Sequence, residues 1–344
     1  MYLLMEQNNN STNMRYTLLI VWITTVHFNI FSQELFNSDS TIQLQISCDL
    51  EEILNDRGEE NKYHDALFNF NNTVYTVKLK TRGIYRRKKE NCFLPPLWLK
   101  FDKKQMIGSI FSGYKKLKLV LPCYNKPVYK QYILKEYLAY KIYNILTDYS
   151  FKVRLIKLKI IDLDNKYAPI ECFAFFIEPY KNLCKRVSAY PLEVKNIHPN
   201  FTNTEMITLL SVFQYMIGNT DWSVKALHNI KLISFENSKK PIAVPYDFDQ
   251  CGLVNASYAL AAEHLNIESV RTRVYNGYYQ PIEVLQPVLD KFRQNKKKIY
   301  QAVYSVPGLK KRYIDETIKY FDQFYKTIDH PKKMSYELIK KSRK

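Results

Sequence analysis

Glycine is scarce in this sequence, with 8 residues among 344. Neither GxGxxG nor GxxxxGK[ST] occurs, which excludes the dinucleotide and P-loop phosphate sites that depend on closely spaced glycines. None of the 6 cysteines form a Cys-x-x-Cys pair, so a structural zinc site is not indicated. No internal repeat and no linker rich in Pro, Gly or Ser divides the chain. The chain therefore suits one two-lobed domain or two closely packed ones.

Apolar residues and positive charge are both abundant. Apolar types make up 46% of the chain and aromatic types 15%, including 28 Tyr, which is enough for a sizeable core. The net charge of +18 raises the question of nucleic-acid binding. The cations are spread out, with small clusters at Arg82–Lys89, at Lys296–Lys298 and in the tail from Lys332, and no nucleic-acid-binding motif accompanies them. We expect a basic face that contacts anionic membrane or glycan, and no specific nucleic acid.

The amino-terminal segment predicts export. Arg15 precedes a mostly apolar run, Tyr16–Phe31, and small Ser32 follows. This order predicts a signal peptide over residues 1–32, with Met14 as the true start. The alternative is a retained anchor, for which the run is shorter than the roughly 20 apolar residues that span a membrane. We expect a periplasmic, cell-envelope or secreted protein.

Two cysteines are candidates for a disulfide. Cys92 and Cys123 flank two strand-like segments and both adjoin Pro-containing turns. In an oxidising compartment this placement predicts that they are bonded to each other. Cys172 and Cys251 lie in apolar stretches and are predicted to be small buried residues.

The first half of the chain predicts a β-rich lobe, over residues 33–175, with one long helix. The helix is predicted over Val128–Leu146, where polar residues occupy a minor face. Asn61–Ala66 is predicted to be a turn. Alternating or short apolar runs predict strands at Thr41–Ile46, Val74–Thr81, Leu97–Phe101, Leu117–Leu121, Val153–Ile161 and Glu171–Ile177.

The second half, residues 176–330, predicts a mainly helical lobe that holds a strand pair. Thr202 and Glu205 predict a capping box at the start of a helix that Gly218 ends. Strands are predicted at Ile230–Phe235 and Ile242–Pro245, and helices from about Ile282, before a basic tail at residues 331–344. This order of elements is the order found in protein kinases.

Acidic and amide side chains cluster around the strand pair. Asp221 follows the Gly218 helix end, Asn229 opens the first strand, and Asp247 and Asp249 follow the second. Burying such carboxylates is costly unless a cation compensates. Phosphotransfer enzymes place Asp and Asn just outside strands in this way to hold Mg²⁺. The alternative is that Asp221 caps a turn and the other two are solvated.

Four blocks of the sequence, between about residues 75 and 255, resemble the CotH family of spore coat kinases. The core block is Asp-Trp, a later Asn, and then Tyr-Asp-Phe-Asp. The blocks are Thr81–Gly83, Lys135–Tyr140, Phe173–Glu178 and Asp221–Asp249. They are individually short but occur in the same order as in the family.

The resemblance implies an α+β, atypical protein-kinase-like two-lobed fold that uses ATP and Mg²⁺. Asp221 would be the catalytic residue acting on an unknown hydroxyl-bearing acceptor. Asn229 and Asp247 would hold the metal, and Asp249 a second metal or the loop. The hinge would be Ile177–Pro179, with Glu178 as a cofactor-binding residue, and its backbone groups would meet the purine.

The phosphate-binding lysine is not fixed by the resemblance. The family follows its Arg-Gly turn with Ser residues and a Lys pair, whereas this chain has Tyr85–Lys89 there. Lys118, as the partner of Glu136, is one candidate, and Lys100 is another. An intact Asp221, Asn229 and Asp247 favour an exported kinase. The unlocated lysine and the scarcity of ATP outside the cytoplasm favour a pseudokinase or another non-catalytic binding protein. A third reading is a surface protein that binds polyanionic glycans.

Overall fold

The computed structural model describes residues 34–262 and 265–344, so the predicted signal peptide lies outside the described residues. The chain has a mixed α+β fold with a barrel first and helices after it. The strands are β1 Ile42–Cys48, β2 His64–Phe70, β3 Thr73–Thr81, β4 Leu97–Phe101, β5 Lys116–Val120, β6 Val153–Asp162, β7 Ile170–Ile177, β8 Tyr190–Leu192, β9 Ile230–Phe235 and β10 Ser238–Pro245. The α-helices are α1 Glu34–Asn37, α2 Leu50–Asn55, α3 Pro127–Leu146, α4 Tyr180–Arg186, α5 Thr204–Ile217, α6 Ile282–Ser305, α7 Lys311–Ile328 and α8 Pro331–Met334.

The first seven strands form a closed barrel in the order β1-β2-β3-β4-β5-β7-β6. Parallel pairing of β1 with β6, from Ile42 opposite Ile156 to Cys48 opposite Asp162, closes it. Alternate side chains point inward, and Leu79, Leu99 and Phe176 are fully buried there. The sequence predicted a β-rich lobe, but not its closure.

Strand β2 corrects the turn predicted at Asn61–Ala66. The inward positions of β2 are His64, Ala66 and Phe68, and all three are buried. The alternation of buried and exposed residues is not visible in the sequence, because the first buried position is a histidine and not an apolar residue. The polar residues of this segment therefore suggested a turn. The two ring nitrogens of His64 lie 2.9 Å from Glu52 and 2.7 Å from Asp56, which satisfies the buried ring.

A disulfide links the loops on either side of the β4–β5 pair. Cys92 precedes β4 and Cys123 follows β5, and their Cα atoms are 4.7 Å apart. The main-chain N–H of Leu94 also donates to the carbonyl of Cys123, at 2.8 Å. The other four cysteines, Cys172 and Cys251 among them, are buried thiols.

The long helix α3 lies between the barrel and the second lobe. It begins at Pro127, whose missing N–H is harmless in the first turn. Its buried residues belong to the same hydrophobic core as helices α5, α6 and α7. Helix α3 is therefore the element that carries barrel residues and second-lobe residues into one core.

Helix α5 begins one residue later than the capping box predicted. Asn203 is the N-cap, and its side-chain oxygen accepts a hydrogen bond from the N–H of Met206 at 3.0 Å. The Thr202 hydroxyl instead donates to the carbonyl of Pro199, at 2.6 Å. Gly218 ends the helix at φ 65°, in the left-handed region, as the sequence predicts.

Behind α5, strands β10, β9 and β8 form a small sheet in that order. The hairpin between β9 and β10 is tighter than the predicted turn, because β10 begins at Ser238. The sequence did not predict β8 or α4. Among the described residues, no helix is long and apolar enough to cross a membrane.

Candidate active site

A cleft of about 770 Å³ lies between the barrel and the loops around the β9–β10 pair. Its barrel side comes from the turn after β3 and from β4 and β5, and its other side from the segments before β9 and after β10. It brings together five of the residues predicted from the sequence. These are Lys118, Asp221, Asn229, Asp247 and Asp249.

Asp221 and Asn229 are joined directly by hydrogen bonds. The side-chain nitrogen of Asn229 donates to the Asp221 carboxylate, at 2.9 Å, and to the Asp221 carbonyl, at 2.8 Å. Upstream, the Asp221 N–H donates to the side chain of buried Asn219, at 3.0 Å. Ser223 and His228 exchange two main-chain bonds, which folds the intervening loop back on itself. With its nitrogen engaged, Asn229 has its amide oxygen left as a ligand atom.

His228 is a residue of this site that sequence reasoning did not assign. Its Nε2 lies 2.7 Å from a carboxylate oxygen of Asp221, and the side chain is about half exposed in the cleft. Together with Asn229 it fixes both oxygens of Asp221. The sequence places His228 directly before Asn229, but no spacing rule turns that adjacency into a role.

Two residues of the cleft adopt left-handed backbone conformations, which Asn and Asp tolerate better than other residues with a side chain. Asn229 has φ 53° and Asp247 has φ 65°. Each stands at an end of the β9–β10 pair, where the N–H of Tyr246 donates to the Asn229 carbonyl at 3.0 Å.

Lys118 projects from β5 into the cleft between two aromatic rings. Its Nζ is 5.6 Å from the ring centre of Trp98 and 4.9 Å from that of Tyr246. Burial lowers the pKa of Lys118 to about 8, the positive charge of Arg82 acts in the same direction, and Asp247 opposes them. The other candidate, Lys100, does not line the cleft, and its Nζ lies over the ring of Tyr63, 5.2 Å away.

Glu136 is buried on helix α3 beside the acidic end of the cleft. It is 1% exposed, and neither carboxylate oxygen has a hydrogen-bond partner. Burial raises its pKa well above the usual range, the charges of Asp249 and Asp247 add to this, and Arg86 opposes it. Burial and the Asp247 charge likewise raise the pKa of Asp249 to about 6. Such carboxylates are costly to keep ionised without a nearby cation.

The Glu178 side chain does not line the cleft. Its carboxylate forms a bidentate pair with Arg186, both distances being 2.9 Å, and accepts the N–H of Lys152 at 3.1 Å. Its own N–H donates to the Lys152 carbonyl at 2.9 Å. Helix α4 begins directly after Pro179 and carries Arg186 back to this side chain, so Glu178 ties α4 to the end of β7.

The donors in the cleft are hard oxygen ligands of the type that Mg²⁺ prefers. Within residues 34–262 and 265–344, no group of three or more His, Cys, Asp or Glu side chains is arranged to hold a metal. Mg²⁺ commonly takes only one or two protein carboxylates and completes its shell with waters and substrate phosphates. The Asp247 carboxylate and the Asn229 amide oxygen fit that smaller requirement.

Comparisons with known proteins leave the family open. No protein-family model matches the chain, and no curated protein matches it. Among solved structures, the chain is similar to the Helicobacter pylori proinflammatory kinase CtkA, at 13% identity and a TM-score of 0.38. The match covers 80% of this chain and 93% of that chain. A similarity of this size does not assign a family or an activity.

Proposed function

We propose that this chain is an exported kinase-like phosphotransferase that uses ATP and Mg²⁺ in the cleft between barrel and second lobe. The observation that carries the proposal is the convergence of Asp221, Asn229 and Asp247 with Lys118 on one cleft. The residue types and their order match the sequence resemblance to the CotH kinases. These residues come from separate elements of the fold. Their convergence is explained better by a functional site than by a chance grouping of solvated acidic residues.

In this proposal, Asp221 acts on the acceptor. Its carboxylate accepts the proton of the acceptor hydroxyl, whose oxygen forms a new bond to the γ-phosphorus while the bond to the β-phosphate oxygen breaks. The leaving group is ADP, and the proton passes from Asp221 to solvent. The hydrogen bonds from Asn229 and His228 fix the carboxylate so that it approaches the hydroxyl in one orientation.

The remaining residues hold the nucleotide. Asp247 and Asn229 would bind Mg²⁺, which when bound neutralises and orients the phosphates. Lys118 would contact a phosphate oxygen from the barrel side. Its position between two rings keeps the ammonium group desolvated, so that an anion entering the cleft gains a strong partner.

Export is the second part of the proposal. It rests on the predicted signal peptide and on the disulfide between Cys92 and Cys123, because disulfides persist in oxidising compartments and are rare in the cytosol. A hydroxyl on an exported protein or other extracytoplasmic molecule would then be the acceptor.

One observation favours a second candidate, a non-catalytic binding protein with the same fold. Glu136, the expected partner of Lys118, is not within ion-pair distance of it, and neither of its carboxylate oxygens has a hydrogen-bond partner. A protein that had lost nucleotide chemistry could tolerate the absence of this pair.

A thermal-shift measurement decides between the two candidates. We expect Mg-ATP to raise the melting temperature of the mature protein, since a ligand that binds only the folded state stabilises it. Two controls should give smaller shifts: ATP in the presence of EDTA, and Mg²⁺ without ATP. Asp247→Asn should remove most of the shift that Mg-ATP causes. Correctly folded wild-type protein that shows neither this shift nor autophosphorylation would end the kinase proposal.

A further inference from the structure

Arg86 is a buried cation beside the acidic end of the cleft. It is 8% exposed, lines the cleft and donates from Nη2 to the carbonyl of Leu121. Its Nη1 lies 3.8 Å from a carboxylate oxygen of Asp249. The guanidinium carbon is 5.8 Å from the ring centre of Tyr258. Arg86 therefore faces inward, although its neighbours in sequence, Lys88 and Lys89, are exposed.

Helix α3 presents Glu136 to the same place. Tyr140, one turn after Glu136, accepts a hydrogen bond from the N–H of Asp247 at 2.8 Å. Residues four apart on a helix share one face, so Glu136 points toward the segment that follows β10. Both of its oxygens are buried without a hydrogen-bond partner, and Nε of Arg86 is likewise buried and unpartnered.

Lys118 is separated from these carboxylates. Its ammonium group lies between the rings of Trp98 and Tyr246. Across the part of the chain that the structure describes, it forms no ion pair within 4.0 Å, whereas Arg86 does. A guanidinium group can serve several acceptors at once in a fixed plane, which an ammonium group on a flexible stem does less well.

We propose that Arg86, and not Lys118, is the internal counter-charge of Glu136 and Asp249, and that it positions the acidic segment after β10. Lys118 is then left unpaired in the cleft for the phosphate. The pairing with Asp249 stands on the 3.8 Å contact. Glu136 is assigned to the same cation because its two oxygens and Nε of Arg86 are all buried without a hydrogen-bond partner, although the two side chains form no ion pair within 4.0 Å. The assignment of Lys118 to phosphate rests on the proposed function.

The ion pair is tested without any nucleotide, by a double-mutant cycle in urea. Arg86→Met should lower the unfolding midpoint, because Glu136 and Asp249 lose their cation. Adding Glu136→Gln should recover part of that loss, with the two changes coupled by more than tenfold in the unfolding constant. The matched control cycle pairs Lys118→Met with Glu136→Gln, and its two effects should add. Additivity in the Arg86 cycle, or coupling in the Lys118 cycle, would overturn the assignment.

A folding failure of Arg86→Met does not leave the question open. In that case the triple change Arg86→Met, Glu136→Gln and Asp249→Asn removes all three charges together. Recovery of a cooperative unfolding transition supports the ion pair, and continued failure to fold overturns it.

The nucleotide arm uses the mature protein, with Mg-ATP as the probe. Lys118→Met should raise the KM for ATP at least tenfold. Arg86→Lys keeps the positive charge but loses the planar guanidinium group with its several N–H donors. It should lower kcat with little change in KM, as expected of a positioning residue. Equal KM changes in both variants would overturn the division of roles. Wild-type protein that binds no Mg-ATP would defeat the proposed function, while the urea cycles would still decide the ion pair.

Discussion

The main-chain N–H of Asp247 donates a hydrogen bond to the hydroxyl of Tyr140, with a nitrogen-to-oxygen distance of 2.8 Å. Tyr140 is a fully buried residue of the central helix α3, and Asp247 has a left-handed backbone at the cleft. One hydrogen bond thus connects the core of the molecule to the residue that would carry the metal.

Replacing Tyr140 with Phe tests this connection. The change removes one oxygen and leaves the Asp247 N–H without its partner, which typically costs about 1–3 kcal/mol. We expect a lower melting temperature and at least a severalfold weaker Mg-ATP shift, because Asp247 is less firmly held. Tyr143→Phe is the matched control, since the Tyr143 hydroxyl is buried with no hydrogen-bond partner. A larger loss of melting temperature or of the Mg-ATP shift in Tyr143→Phe than in Tyr140→Phe would contradict this connection.

Asp221 and Asp247 are expected to fail in different ways. Asp247→Asn should weaken Mg-ATP binding, because a carboxylate ligand is lost. Asp221→Asn should keep Mg-ATP binding and lower transfer by 10²-fold or more, because the acceptor hydroxyl loses its proton acceptor. Titration of the thermal shift and an autophosphorylation assay separate the two effects. Asp315→Asn, at an exposed ion pair with Lys311, is the control and should change neither Mg-ATP binding nor autophosphorylation.

Asp162 is expected to give the barrel a measurable dependence on pH. Hydrogen bonds from the N–H groups of Leu50, Lys166 and Tyr167, at 3.0, 2.7 and 3.2 Å, lower the pKa of this carboxyl, the bond from Leu50 acting most strongly. A lowered pKa in the folded state stabilises the protein above the unfolded value of about 3.9 and is lost as pH falls through the folded value. Asp162→Asn should therefore lower the melting temperature at pH 7 and lose its effect toward pH 2.

The neighbouring Asp164 supplies the control for this measurement. Its side chain forms an exposed ion pair with Lys166, at 3.3 Å, so Asp164→Asn should change the melting temperature little at either pH. Equal effects of the two substitutions across the pH range would contradict the role of Asp162.

The disulfide between Cys92 and Cys123 closes a loop with a sequence separation of 31 residues. A loop of this length is expected to contribute about 2–4 kcal/mol to the free energy of unfolding. Non-reducing peptide mapping should recover the two cysteines in one linked pair. Dithiothreitol should lower the melting temperature of the wild type but not of a variant with Ala at both positions. Two free thiols in purified exported protein would refute the prediction.

Signal processing is tested by intact-mass analysis of secreted material. We expect the mature chain to begin near Gln33, because Ser32 ends the apolar run at a small residue. A mature protein that still contains Tyr16–Phe31 would favour a retained anchor instead.

The sequence predicted local structure well where one alternation dominates. Strands β4 and β9 have the predicted bounds, since each is a short run with clear inward and outward positions. The parallel pairing of β1 with β6 could not be predicted, because no local pattern specifies a partner more than a hundred positions away. The Asn203 cap was missed because Thr202 and Glu205 fit the same rule one residue out of register.

The sequence singled out candidate site residues where polar side chains occur among apolar neighbours. Asp221, Asn229 and Asp247 are polar residues among apolar neighbours, and the structure brings them to one cleft. Arg86 was missed because it stands in a run of cations, where charge alone gives no sign of which side chain turns inward. The side-chain partner of Glu178 was not predicted, because Arg186 comes eight residues later on a helix that the sequence did not predict.

The parallel closure of the barrel also has a consequence for how the chain reaches its native state. Strand β1 has no second neighbour until β6 has been made, and the whole of helix α3 lies between them. Such non-local pairing gives a high contact order and slow folding. Until that pairing forms, β1 and β6 remain edges with unsatisfied N–H and C=O groups, which are templates for association between chains. We therefore expect the extent of aggregation during refolding to depend on how slowly β6 pairs with β1. It should not depend on the free energy of unfolding of the finished barrel.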